Sequence, residues 1–265
     1  MPFRVWCIAG LDSPAWAQNV RENFSRATDG VHAHLVVVEN GDGVGAWGTP
    51  GKYSPCTVVR SETGCANYIN AGLKLVRELA EPGDWFAKFD ADDYYGRGWF
   101  HQHKGLAESG VRAAAASSVF VRMANWKTFF VDFEVTLGDI LSNSKVLHGP
   151  TLAAEVSVSL DFPTPKEAWG EDADWVDAMR ASGVQFHALS EHGFTYCRHR
   201  DRNHAFPVPD EFLLGVYPNA KVYDVGLWDR AVVDGLVPLK KLVEVPFNPA
   251  DMVMAGEALM AAASG

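Results

Sequence analysis

Between residues 3 and 93 short apolar runs alternate with stretches of helical periodicity, and that alternation restricts the chain to a narrow set of folds. Residues 3–9 read as a first strand. In the loop that follows, Ser13 before Pro14 is a good helix start. Trp16, Val20 and Phe24 then recur at intervals of four. Residues 35–38 are a continuous apolar strand ending in Glu39-Asn40-Gly41-Asp42-Gly43, where Gly41 and Gly43 permit tight turns and close ligand approach. Residues 57–60 read as a third strand. Residues 66–80 carry Ile69, Leu73, Val76 and Ala80 at helical spacing, and Pro82-Gly83 stops them. In the fourth strand Trp85, Ala87 and Phe89 point one way and Phe86 the other, and these aromatics read as core. The pattern predicts an α/β fold with helices on both faces of the sheet. Ligands in such sheets bind beyond the carboxyl ends of the strands, so Glu39-Asn40 and the acids after Phe89 are expected on one rim.

Those acids are Asp90, Asp92 and Asp93, three carboxylates within four residues. They repel one another and resist desolvation, and a hard divalent cation, Mg²⁺ or Mn²⁺, offsets that cost. Because Mg²⁺ also takes phosphate oxygens, the stretch points to a metal-assisted site for a phosphorylated substrate. The bland alternative is a solvated acidic turn after a core strand.

Two later stretches bear on that choice. Trp169-Gly170-Glu171-Asp172-Ala173-Asp174-Trp175 opens a helix that ends near Gly183, and acids are favoured at such a start by the unpaired N–H groups and the dipole. Capping accounts for part of this cluster, but Glu171 and Asp172 together exceed one cap. Tyr196-Cys197-Arg198-His199-Arg200-Asp201-Arg202-Asn203-His204 is the one dense cationic segment of an acidic chain. It suits phosphate through its arginines, and His199 or His204 would complete a metal site. Its alternative is a solvated basic loop paired with the acids. His148-Gly149-Pro150 reads either as a backbone platform for a ligand or as an ordinary turn.

The remaining pattern comprises a helix over 99–109, a strand within 111–123 centred on Val119-Phe120-Val121, and a strand over 129–135. A further strand lies within 146–158 and another spans 184–189. Beyond Phe206 prolines punctuate the chain, with short helices expected at 227–233 and 249–263. That tail would cover the core, shape an acceptor pocket or form a dimer contact.

The 265 residues, 48% hydrophobic, support one large domain or one with an elaborated edge. A formal net charge of −10 argues against general attraction to nucleic acid or anionic membrane. Four cysteines without C-x-x-C spacing disfavour a disulfide framework or a zinc site. With no signal-peptide pattern and no apolar run near the roughly 18 residues of a spanning helix, a cytoplasmic protein is expected.

The combination of Asn70-Ala71-Gly72-Leu73 with Phe89-Asp90-Ala91-Asp92-Asp93, Gly170-Glu171-Asp172 and Tyr196-x-Arg198-His199 resembles the GT-A glycosyltransferases, most nearly family 2. The likeness covers residues 3–205. It implies a GT-A (Rossmann-like), mixed but mainly parallel sheet flanked by helices. It also implies a donor half over 1–110, an acceptor half over 111–205 and a C-terminal extension over 206–265 packing on the core. Where family members commonly end the second strand in aspartate, this chain has Glu39 and Asn40.

The resemblance implies an inverting, metal-dependent transfer from a nucleoside diphosphate sugar, a UDP-sugar favoured, to an acceptor hydroxyl. Asp172 would be the base and Glu171 its helper at the acceptor. Asp92, Asp93 and His199 would hold Mn²⁺ or Mg²⁺. Glu39, Asn40, Asn70, Asp90, Arg198 and Arg200 would bind the donor. Trp169 is the best aromatic for stacking on an acceptor. A glycan acceptor is favoured over a modified DNA base, and the chain is expected to act as a monomer or homodimer. The competing classes are a nucleotidyltransferase, which releases pyrophosphate, and a non-catalytic sugar- or nucleotide-binding protein.

Overall fold

The computed structural model describes residues 3–48, 56–61, 65–116, 118–122, 128–132, 147–163, 171–189, 193–197 and 221–223. The strands among them are β1 (Arg4–Leu11), β2 (His32–Glu39), β3 (Cys56–Arg60), β4 (Trp85–Lys88), β5 (Tyr94–Tyr95), β6 (Ala113–Ala116), β7 (Ser118–Arg122), β8 (Thr128–Asp132), β9 (Ala153–Glu155), β10 (Phe186–Leu189), β11 (Phe194–Cys197) and β12 (Lys221–Tyr223). The helices are α1 (Ala17–Ala27), α2 (Cys65–Leu79), α3 (Trp99–Glu108) and α4 (Glu171–Ala181). The helices expected at 227–233 and 249–263 lie outside the described residues.

Among the described residues the strands form a sheet of order β10-β6-β9-β4-β1-β2-β3 and a second of order β12-β8-β7-β11-β5. In the first, β1 runs parallel to β2 and β4, β2 to β3, and β6 to β10. Only β9 is antiparallel to its neighbours β4 and β6. This is the α/β core that the strand–helix alternation predicts, in the mixed, mainly parallel, Rossmann- or GT-A-like form that the resemblance implies.

The period of two along β1 sorts its side chains to the two faces. Val5, Cys7, Ala9 and Leu11 pack with Val20 and Phe24 of α1 and Trp99 and Phe100 of α3. Trp6 and Ile8 pack with Ile69, Leu73 and Val76 of α2 and Trp175 and Met179 of α4. Gly72 lets α2 approach the sheet, since a β-carbon there would lie 2.4 Å from the Ile8 side chain. Trp85, Phe86 and Phe89 are buried core residues, as their alternation predicts.

The strand expected within 111–123 is in fact two. β6 belongs to the first sheet and β7 to the second, so one apolar run supplies an interior strand to each of two sheets. Periodicity does not mark where an apolar run changes partner. Strands β5 and β11 were not expected. Both are short runs of β-favouring residues, too short to read as strands alone, and β11 pairs with both β5 and β7.

Candidate active site

The parallel registers set the site's position. Leu11 lies opposite Glu39 and Ile8 opposite Lys88, so β1, β2 and β4 end on one rim. The acidic turn leaves β4 there, and side chains of α1 and of Tyr95 tie down its backbone. From α1, the Asn19 side-chain amide donates to the carbonyls of Ala91 at 2.7 Å and Asp93 at 3.0 Å. The Asn23 amide adds a 2.8 Å bond to the Asp93 carbonyl. Tyr95 Oη accepts from the Asp90 amide at 2.8 Å and donates to the Pro150 carbonyl at 2.9 Å. Its ring stacks on Phe89, with centroids 4.1 Å apart.

The three carboxylates have different surroundings. Asp90 Oδ1 accepts from Tyr68 Oη at 3.2 Å. The Tyr68 ring lies over Gly10, where a β-carbon would stand 2.9 Å from ring carbons. Burial pushes Asp90 up to about 6; Lys88 opposes this, and the Asp172 and Asp92 charges add to it. Asp93 is buried, and its Oδ1 accepts from the Cys197 amide at 2.8 Å. Its Oδ2 is buried with no hydrogen-bond partner among the described residues. Burial first, then the charges of Asp92 and Asp90, hold its pKa well above the usual carboxylate range.

Across the rim stands Asp172, in the first turn of α4 beside the buried Glu171. Lys88, at the carboxyl end of β4 and only 4% exposed, joins the two clusters. Its Nζ lies 2.8 Å from Asp172 Oδ2 and 3.6 Å from Asp90 Oδ2. Burial raises the Asp172 pKa; Lys88 pulls it back and the Glu171 charge adds to the rise. Lys88 was not among the expected site residues. Its signal was legible all the same: a lysine in an otherwise apolar strand, two residues before Asp90 and so on the same side of the chain. Gly149 sits against Asp172, and Pro150 accepts from Tyr95, so the His148-Gly149-Pro150 turn joins the site.

The expected donor-binding residues differ in what they already hold. Both Glu39 oxygens accept backbone bonds, Oε2 from Gly45 at 2.8 Å and Oε1 from Trp47 at 2.9 Å. The carboxylate thereby closes the loop after β2. Its neighbour Asn40 is buried, and its Oδ1 has no partner among the described residues. Asn70 exchanges two bonds with Phe162, its Nδ2 donating to the carbonyl at 2.8 Å and its Oδ1 accepting from the amide at 2.7 Å. That ties α2 to the segment before α4. Arg198, His199, Arg200, His204 and Trp169 lie outside the described residues; Cys197, bonded to Asp93, is two residues before His199.

Among the described residues no group of three or more His, Cys, Asp and Glu side chains forms a metal site. The Asp92–Asp93 pair nevertheless suits a hard cation. One buried carboxylate oxygen of Asp93 has no partner there, and burial and mutual repulsion disfavour both Asp90 and Asp93 as anions.

Fold and rim together define a GT-A-like α/β protein with a cluster of carboxylates at the ends of β1, β2 and β4. No family model matches the chain, and no curated protein matches it. The fold is similar to that of S. aureus TarS residues 1–349, solved with UDP-GlcNAc, at 16% identity and a TM-score of 0.52; the match covers 79% of this chain and 62% of that one. It is also similar to the mannosyltransferase PcManGT of Pyrobaculum calidifontis, solved with GDP-Man and Mn²⁺. There the identity is 16% and the TM-score 0.52, over 73% of this chain and 56% of the other. The chain thus matches less than two thirds of the length of either structure. No described helix is long and apolar enough to cross a membrane.

Proposed function

We propose that the protein is an inverting, metal-dependent glycosyltransferase that moves a sugar from a nucleoside diphosphate sugar, a UDP-sugar favoured, to an acceptor hydroxyl. The observation that carries this reading is the opposition of two carboxylate clusters across one buried ammonium: Asp90 on one side of Lys88 and Asp172 on the other. The fold likeness to proteins solved with UDP-GlcNAc and GDP-Man supports the nucleotide-sugar part.

Residues 1–110 form the donor half in this reading and residues 111–205 the acceptor half. Asn40, whose Oδ1 has no partner among the described residues, meets an N–H of the base. Glu39 shapes the base pocket through the loop it closes. Asp90 holds a hydroxyl of the ribose or donor sugar, and Asn70 supports the donor through α2. A divalent cation held by Asp92, Asp93 and His199 would supply charge neutralisation to the departing diphosphate. Arg198 and Arg200 would add positive charge toward the same oxygens.

Asp172 takes the proton of the acceptor hydroxyl as its oxygen attacks the anomeric carbon. The bond from that carbon to the phosphate oxygen breaks, its electron pair leaves with the nucleoside diphosphate, and the configuration inverts. Glu171 orients the acceptor. A base must reach hydrogen-bonding distance of that hydroxyl in the reactive complex.

The test is a thermal-shift panel of nucleotide sugars with Mn²⁺ or EDTA, read beside product release. One nucleotide family should give an EDTA-sensitive shift, and turnover should release nucleoside diphosphate. Asp92→Ala should lose the shift, whereas Asp172→Asn should keep it and lose transfer. Release of pyrophosphate would establish the nucleotidyltransferase instead, and near-native turnover in Asp172→Asn would remove its role as base.

A further inference from the structure

We propose that Lys88 is the positioning residue of the base: its ammonium holds Asp172 Oδ2 in place and favours the ionised carboxylate that takes the acceptor proton. The proposal rests on the reading of Asp172 as base. A lysine at 4% exposure in a strand whose other residues are apolar is costly unless its charge is paired. Its Nζ meets Asp172 Oδ2 at 2.8 Å, a charge-assisted hydrogen bond.

Gly149 lies close against the same oxygen, since a β-carbon there would lie 1.8 Å from Oδ2. Oδ2 therefore has an ammonium and a backbone segment as near neighbours. Oδ1 is buried and has no hydrogen-bond partner among the described residues. A carboxylate held in one place by an ion pair is what a directed general base requires. The wider contact of Lys88 with Asp90, at 3.6 Å, places the same ammonium beside the donor cluster. One residue thus sets the spacing between donor-side and acceptor-side acids.

Among the described residues, the charges that bear on Asp172 are those of Lys88 of β4, Asp90 of the following turn and Glu171 of its own helix, and His148 adjoins Gly149 in the chain. Lys88 is the cation among these. An adjacent opposite charge lowers a carboxylate by roughly 1–3 units, and its removal should raise Asp172 by that amount.

Lys88→Gln and Lys88→Arg are compared in metal-free protein by ¹³C titration of the side-chain carboxyls, with Asp172→Asn assigning the signal. In the Gln variant the Asp172 midpoint should rise by at least about one unit. The acidic limb of its kcat profile should move with it, and kcat at the wild-type optimum should fall at least tenfold, by more than any change in donor Kd. Arg should restore most of the midpoint. An unmoved midpoint in Lys88→Gln, or an equal rise in the Arg variant, would overturn the proposal. If Lys88→Gln does not fold, adding Asp172→Asn should restore folding, because removal of both partners relieves the unpaired buried charge. A double variant that still fails would show that Lys88 serves the core and not Asp172. The titration needs no turnover, so absence of transfer in the wild type would count against the glycosyltransferase reading alone.

Discussion

A β-carbon at position 149 would stand 1.8 Å from Asp172 Oδ2, so only glycine lets that carboxylate keep its place beside Lys88. Gly149→Ala should therefore push Asp172 off its lysine. Overpacking of this kind costs about 1–3 kcal/mol, and a misplaced base loses rate. Urea unfolding should show the destabilisation. Transfer should fall at least tenfold while donor affinity, measured by titration calorimetry, changes less than twofold. Unchanged turnover would mean that the carboxylate relocates without cost and that its observed position is unimportant.

Asn70 and Phe162 exchange two hydrogen bonds across 92 residues of sequence. Removing one partner leaves the backbone groups of a buried residue unsatisfied, at about 1–3 kcal/mol. Asn70→Ala should lower the urea midpoint without changing the slope. A weakened donor affinity with unaltered stability would instead assign Asn70 a direct contact with the donor.

Asp93 keeps its hydrogen bond to the Cys197 amide through Oδ1, while Oδ2 is buried without a described partner. Asp93→Asn retains an oxygen for that amide and removes one of three crowded acids. The metal-free variant should melt at or above the wild-type temperature, and Mn²⁺ should stabilise it much less than wild type. Equal Mn²⁺ shifts in the two proteins would take Asp93 out of the cation's ligand set.

His103 is fully buried among Trp85, Trp99 and Phe100, and burial pulls it down to about 4. Its Nδ1 lies 3.2 Å from the Trp99 carbonyl, which can only accept, so the neutral ring carries its proton there. Between pH 6.5 and about 4 the unfolded chain binds a proton that the folded chain refuses. The contribution of His103 is thus intact above the unfolded pKa and is lost as pH falls toward the folded one, by up to about 3 kcal/mol. Buried Asp90 and Asp93, with raised pKa values, act in the opposite direction over acidic pH. The clean measurement is therefore the difference between wild type and His103→Leu in urea unfolding from pH 7 to 4. That difference should change in favour of the variant as pH falls. A flat difference would mean that the buried ring accepts its proton without penalty.

Two kinds of information separate in this chain. The α/β core was legible in residue order: Ile69, Leu73 and Val76 at helical spacing, Trp85 to Phe89 in alternation, and Pro82-Gly83 between them. Those periods follow from backbone geometry, which a linear sequence carries. The acidic turn was legible too, because Asp90, Asp92 and Asp93 are close in the chain before they are close in space. What each acid or amide faces was not legible. Glu39 closing its own loop, Asn70 bonded to Phe162, and Lys88 between Asp90 and Asp172 arise from contacts made by different elements. Strands β5 and β11 likewise exist through pairing, and β6 and β7 divide one apolar run between two sheets. Local sequence determines which residues alternate and which cap. Only the parallel stacking of β4 beside β1, and the delivery of the α4 N-terminus to the same rim, decide that a lysine in the core faces two acids 82 residues apart.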